Sequence, residues 1–256
     1  MKTVFLNCSP KKRFCASAWF LSLQRLFVGG EKVSETLRSP ADTPRILEQL
    51  PNADAVVFSM PLYVDGVPSH VLRFLERMEG FCKENSLHLR VYCIANNGFI
   101  EGRQNEPLMQ VMEHFSARAG LDWGGGVGIG GGVMLNVTRI LFGVDIALLL
   151  LNTVLSAVQT GNLFPKEAWI SFGENAALLL YFNLGVLFYL TRMGRAIGRG
   201  VACGKKYTRI LIPSFLFILF ADIFFVIISL VQGGLFRGWL AKKEYNKAGP
   251  NTGPVK

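Results

Sequence analysis

The chain has 256 residues, half of them apolar and only 18% charged, against about a quarter charged in soluble domains, so the composition argues against a purely soluble protein. A net charge of +9 admits either nucleic acid or an anionic membrane surface as partner. Residues 1–133 hold 14 basic and 13 acidic side chains and residues 134–256 hold 13 and 5. The excess therefore belongs to the apolar half, which favours the membrane, and no nucleic acid is expected.

The first half alternates strand-like apolar runs with amphipathic helical runs, the pattern of an α/β fold with a parallel sheet. Thr3 to Asn7 is predicted as the first strand, and Ser17 to Val28 as a helix that Ser17 caps. A weak strand is expected at Lys32–Leu37, a short helix at Thr43–Leu50 and a buried strand at Asp54–Met60. Helices at Ser69–Met78 and Pro107–Ala119 alternate with strands at His88–Ala95 and Leu121–Gly130. Five strands make a small doubly wound sheet, whose ligand site lies outside the carboxyl ends of the strands. The loops 8–17, 60–68 and 96–106 therefore matter most.

Near residue 134 the composition changes. Segment 140–159 is long enough for a hydrocarbon layer of roughly 30 Å. Its Asp145, Asn152, Ser156 and Gln159 share one face, so it reads equally as a membrane span or as the fifth sheet-covering helix with a wet side. Segment 175–191 is a shorter candidate span, and 210–233 the strongest, with Asp222 inside it. An acid there marks either a functional site or a helix–helix contact. Arg192, Arg195, Arg199, Lys205, Lys206 and Arg209 read as a basic loop between spans that is attracted to anionic headgroups. Positive-inside bias then gives three spans, whereas the basic tail beyond residue 237 pulls towards two. The expected domains are 1–133, a helical membrane region 134–236 and a basic polar tail 237–256. The start lacks the apolar core of a signal peptide, so secretory export is not expected.

Five cysteines without paired spacing read as reduced thiols, and no metal site is assigned. Loop 8–17 joins a strand to a helix start and offers hydroxyls, amides and the cations Lys11, Lys12 and Arg13, which suits a phosphate monoester. Tyr63 in loop 60–68 can stack on a planar ring or simply pack. Asn97-Gly98 is turn-prone and exposes amides. Gly126-Val127-Gly128-Ile129-Gly130-Gly131 fits G-x-G-x-x-G but leads into an apolar segment, and reads as a tight strand-to-helix passage. Gly204-Lys205-Lys206 lacks the rest of a P-loop.

Ser9-Pro10-Lys11 with Ser17, Pro61-Leu62-Tyr63, the helix end Phe74-Leu75-Glu76-Arg77, Ala95-Asn96-Asn97-Gly98-Phe99-Ile100-Glu101 with Gln104, and Ala119 through Gly132 stand in order over residues 1–133. Together they resemble the NAD(P)H-dependent FMN reductase branch of the flavodoxin-like superfamily. The resemblance implies a flavodoxin-like five-stranded domain followed by an added helical membrane region. It implies FMN with its phosphate on Ser9, Lys11 and Ser17 and its ring against Pro61, Leu62, Tyr63, Asn96, Gly98 and Phe99. NAD(P)H is the implied electron donor, and a homodimer the implied assembly. Cys8 stands where the family usually has glycine and Cys15 where serine is common, and the family's soluble members lack the apolar segments.

The expected function is a membrane-anchored oxidoreductase passing reducing equivalents from NAD(P)H through FMN to an unidentified acceptor. A non-enzymatic FMN electron carrier, or a binding module that has lost flavin, are the rival readings. No catalytic residue is assigned; Tyr63 and Glu101 are the nearest proton-transfer candidates by loop position.

Overall fold

The computed structural model describes residues 1–231. The chain divides into two units, Met1–Ile212 and the part from Pro213 onward. The first unit is built on a parallel sheet. Its strands are β1 (Lys2–Asn7), β2 (Glu31–Thr36), β3 (Ala55–Pro61), β4 (Arg90–Asn96), β5 (Asp122–Gly130) and β6 (Gly204–Arg209). The order β2-β1-β3-β4-β5-β6 begins with the flavodoxin-like doubly wound sequence 2-1-3-4-5. The chain reverses direction across the sheet at β1/β3, so the crevice between their carboxyl ends is the ligand position this topology creates.

Alternation along the strands separates two cores. Val4, Leu6, Val56, Phe58, Val91 and Cys93 pack on one face beneath α2 (Thr43–Leu47), α3 (Ser69–Glu84) and α4 (Glu106–Arg118). The other face carries Phe5, Val57, Tyr92 and Ile94, all fully buried, and is covered by α1 (Ala16–Leu26) and part of α6 (Lys166–Gly198).

The sixth strand corrects the sequence reading. The basic run from Arg192 to Arg209 is not a loop between spans: its first members end α6, and Lys205, Lys206 and Arg209 lie in β6, paired with β5 from Gly125–Gly204 to Gly130–Arg209. Between β5 and β6 the chain makes one excursion, through α5 (Gly132–Thr160) and α6. The two helices pack against each other, with Phe142 and Phe172 stacked 5.3 Å apart. α6 is almost twice as long as segment 175–191. Its second part buries Asn183, Val186, Leu190, Met193 and Ile197, a helical stripe that covers the sheet. The sheet-covering role that one reading gave to 140–159 thus falls to the end of α6; past Leu135, α5 buries only Leu149.

Among the described residues three helices, α5, α6 and α7 (Ser214–Val231), are long and apolar enough to cross a membrane, with mean hydropathies of 2.1, 1.5 and 2.7 over their most apolar stretches. The second unit, by itself, presents α7 with Asp222 exposed on it. Residues 210–213 precede that helix rather than belong to it, and residues 232–233 of the predicted span and the basic tail lie outside the described residues.

Candidate functional site

The crevice at the carboxyl edge is built first by β1. Strand pairing carries Asn7 to the sheet edge, and the Ser9 amide donates to the Asn7 side chain at 3.1 Å, turning the chain outward. Lys11, Lys12 and Arg13 follow, all exposed. Phe14 takes a left-handed backbone, φ 51°, and reverses the chain into α1. The cap residue of α1 is Cys15 and no side chain caps the helix. This corrects the cap expected at Ser17, which lies inside the first turn. The amides of Ala16, Ser17 and Ala18 begin the helix with no acidic side chain in that turn, so their partial positive charge stands beside three cations. The N-terminus of α5 differs: the Gly131 amide donates to the Phe99 carbonyl and the Gly132 amide to the Asn97 carbonyl, which occupies that helix end.

The second wall comes from β3. Its last residue, Pro61, leads to Leu62, whose amide donates to the Asn96 carbonyl, and to Tyr63, which pairs both ways with Gly66 at 3.1 and 3.0 Å. The third wall is the end of β4. Asn96 is 4% exposed and its amide nitrogen donates to the Ser17 hydroxyl at 2.8 Å and the Met60 carbonyl at 3.1 Å. The Ser59 hydroxyl donates to the Ser17 carbonyl at 2.8 Å. These bonds staple the start of α1 to β3 and β4.

Of the nine residues singled out in the sequence, Ser9, Lys11, Ser17, Pro61, Leu62, Tyr63, Asn96 and Gly98 line one cleft of about 110 Å³. Phe99 does not; its side chain is exposed and its carbonyl holds α5. The Asn96 amide donates to the Ser17 hydroxyl, which fixes the walls and leaves that hydroxyl its own proton to donate. Cys8 points into the core beneath the loop, and burial holds its thiol well above the ordinary value. Cys15 does line the cleft. Glu101 is not among the lining residues.

Residues outside those nine complete the cleft: Phe14, Ala16 and Asn97 from the loops singled out in the sequence, and Val133 and Asn136 from α5, which the sequence did not point to. Asn136, on the second turn of α5, donates to the Phe14 carbonyl at 2.7 Å and so ties the basic loop to the apolar helix. Its own side-chain oxygen and that of Asn97 are buried without a partner among the described residues, two acceptors left open beside the cleft. Burial, and then the Cys15 thiol, raise the Tyr63 hydroxyl above its usual range, so it is a protonated donor at neutral pH.

The set suits a phosphate monoester on a planar ring. The enclosed volume is below the roughly 300 Å³ of ordinary ligand pockets, enough for the anionic end. A ring would lie on the open rim, where Tyr63 is 41% exposed.

No protein-family model matches the chain, and no curated protein matches it. Solved structures similar to part of it include the Trp repressor binding protein from Bacillus subtilis, 20% identical over 50% of this chain and 84% of that one, TM-score 0.40. A WrbA-like flavodoxin from Agrobacterium tumefaciens is 14% identical over 48% and 75%, TM-score 0.41. An NAD(P)H:quinone oxidoreductase from Methanothermobacter marburgensis is 16% identical over 54% and 92%, TM-score 0.42. The fold assignment rests on the strand order of the sheet itself.

Proposed function

We propose that the protein is a membrane-anchored flavoprotein oxidoreductase that takes reducing equivalents from NAD(P)H onto FMN and passes them to an acceptor at or in the membrane. The observation that carries this reading is the meeting of an uncapped helix start, a three-cation loop and a half-exposed tyrosine at the carboxyl edge of the sheet. When bound, FMN supplies the electron chemistry. The first-turn amides of α1 with Ser9 and Lys11 would hold its phosphate, Tyr63 and the backbone around Gly98 would flank its ring, and the side-chain oxygens of Asn97 and Asn136 would accept from its hydroxyls.

Membrane anchoring is supported by the excursion between β5 and β6. Both ends of that excursion return to one sheet, so it crosses a bilayer twice or not at all. Residues 138–160 run about 34 Å at about 1.5 Å per residue, close to the roughly 30 Å hydrocarbon thickness. They expose Leu141, Val144, Leu148, Leu151, Val154 and Val158. Arg192 and Arg195 of α6 and Lys205, Lys206 and Arg209 of β6 stay with the sheet, as positive-inside bias asks of a cytoplasmic domain, and α7 is long enough for a further crossing.

The test is an absorbance spectrum of detergent-purified protein followed by stopped-flow mixing with NADH and NADPH. An oxidised-flavin spectrum that bleaches at a turnover-competent rate is expected. A bound flavin that neither nucleotide bleaches would make the protein an electron carrier, and protein that stays colourless after incubation with FMN would overturn the flavin reading.

A further inference from the structure

Away from the cleft, Arg192 and Arg195 on the last turns of α6 and Arg199, the residue that ends it, stand at i, i+3 and i+7, on one side of the helix. β6 alternates beside them. Lys205 turns to α4, where Glu106 and Glu113 each accept from it at 3.0 Å. Lys206 turns the other way and joins the three arginines. All four line a cavity of about 370 Å³ together with Tyr189 and Cys203 and no acidic residue. None of the four makes an ion pair among the described residues. Arg192 is held over the Phe188 ring, 5.7 Å from its centre.

Positive-inside bias accounts for the number of these charges but not for their convergence, since a topological signal needs only a count of basic residues near a span. Four cations drawn from two elements into one cavity repel one another, and an anion relieves that repulsion. Guanidinium groups in particular offer paired donors to phosphate oxygens. The volume lies within the range of small-ligand pockets.

We propose that this groove is a second anion site, separate from the α1 loop, that binds a small molecule carrying at least two phosphate charges. Phospholipid headgroups share this chemistry, and position favours a soluble ligand. α6 leaves the carboxyl edge of the sheet at Phe182, whose carbonyl accepts from the Leu211 amide. Arg192 lies about 15 Å and Arg199 about 26 Å further along at about 1.5 Å per residue. With the hairpin inserted as proposed above, both stand beyond a Debye length of about 8 Å from the bilayer surface. Only this choice of source rests on the membrane reading; the anion site itself does not.

The experiment titrates pyrophosphate into the detergent-purified full chain by calorimetry, with and without added FMN. Saturable binding is expected at low salt, weakened at least tenfold in R195Q/R199Q and retained when added FMN fills the α1 loop. Loss in K11Q with retention in R195Q/R199Q would assign the anion to the α1 loop and overturn the second site, as would the absence of binding. A repeat in nanodiscs separates the sources. Binding that persists in phosphatidylcholine and in phosphatidylglycerol discs supports a soluble ligand, and its abolition by phosphatidylglycerol alone overturns that source in favour of the headgroup. Both exchanged arginines are exposed, and the result is read whether or not the protein binds flavin.

Discussion

α6 is one continuous helix in two environments. From Asn183 to Ile197 it buries a stripe spaced three and four residues apart against the sheet, whereas residues 166–182 contain no buried position at all and expose Trp169, Ile170, Leu178 and Tyr181. Apolar content does not distinguish the halves. What differs is whether the protein itself removes the apolar surface from water, and a lipid layer is the other means of doing so.

The largest expected effect breaks this comparison at two leucines. Leu190 is fully buried, and L190D places an unpaired carboxylate in the core at a cost of about 4 kcal/mol or more. Loss of a protease-resistant sheet domain is expected. Leu178 is half-exposed, so L178D should leave that domain intact and instead weaken retention of the protein in carbonate-washed membranes. Equal loss of the domain in both variants would mean that the free half packs as the bound half does.

Two glycines of the same helix give a smaller contrast. A Cβ on Gly194 would stand 2.6 Å from the Phe27 Cβ, whereas one on Gly173 meets nothing within 4 Å. Overpacking makes G194L about 1–3 kcal/mol destabilising. G173L should lose nothing and gain up to about 1 kcal/mol of helix propensity. Thermal unfolding of both variants in one detergent reads the difference.

This division also explains what the sequence made legible. Strands β1, β3, β4 and β5 announce themselves as apolar runs between turn signals, and with them the edge at which Ser9, Pro61 and Gly98 meet. β6 does not, because Gly204-Lys205-Lys206-Tyr207-Thr208-Arg209 is a short, charged edge strand, the kind that resists edge-to-edge pairing and looks like a loop. Its apolar contacts come from Tyr207 and from neighbours far along the chain. Asn136 went unread for a related reason: a residue six positions past a glycine-rich strand falls in what hydropathy labels an apolar segment, although its amide reaches the Phe14 carbonyl across 122 residues. Phe99 was misplaced because its backbone, not its ring, does the work.

The sheet domain carries a pH signature where α4 meets β6. The Tyr207 hydroxyl, and then Lys205, hold the Glu106 carboxyl below its ordinary range. A depressed carboxylate contributes stability above its unfolded pKa and loses it as pH falls through the lower folded value. Burial and the bond to Glu106 raise Tyr207 above its ordinary value of 10.0, so its contribution is present below that value and lost as pH rises through the higher folded one. Y207F should therefore lower the unfolding midpoint at pH 7, by the equivalent of about 1 kcal/mol for a partly exposed charged hydrogen bond. The gap to wild type should close as the solution is acidified below the carboxylate range. A gap independent of pH would assign the loss to packing alone.

The smallest effect concerns where backbone strain is held. Val64 and Asp65 adopt φ 47° and 56° in the turn closed by Tyr63 and Gly66, and a β-branched residue pays for that conformation with about 1–2 kcal/mol. At the tip of the hairpin the same left-handed backbone, φ 70°, falls on Gly161, which adopts it freely. The sheet domain can hold Val64 in place because its turn stands between β3 and α3 and is closed by the Tyr63–Gly66 pair; the hairpin tip has no such pair among the described residues. The Val64 side chain is fully exposed, so V64N removes no contact and should raise the unfolding midpoint by the equivalent of about 1 kcal/mol. G161V should loosen the α5 end locally, seen as faster amide exchange around Ala157 with no change in the sheet. If V64N stabilises the fold yet weakens FMN binding, the strain serves to hold Tyr63 at the rim; if FMN affinity is unchanged, the turn's conformation is dictated by the passage from β3 to α3 alone.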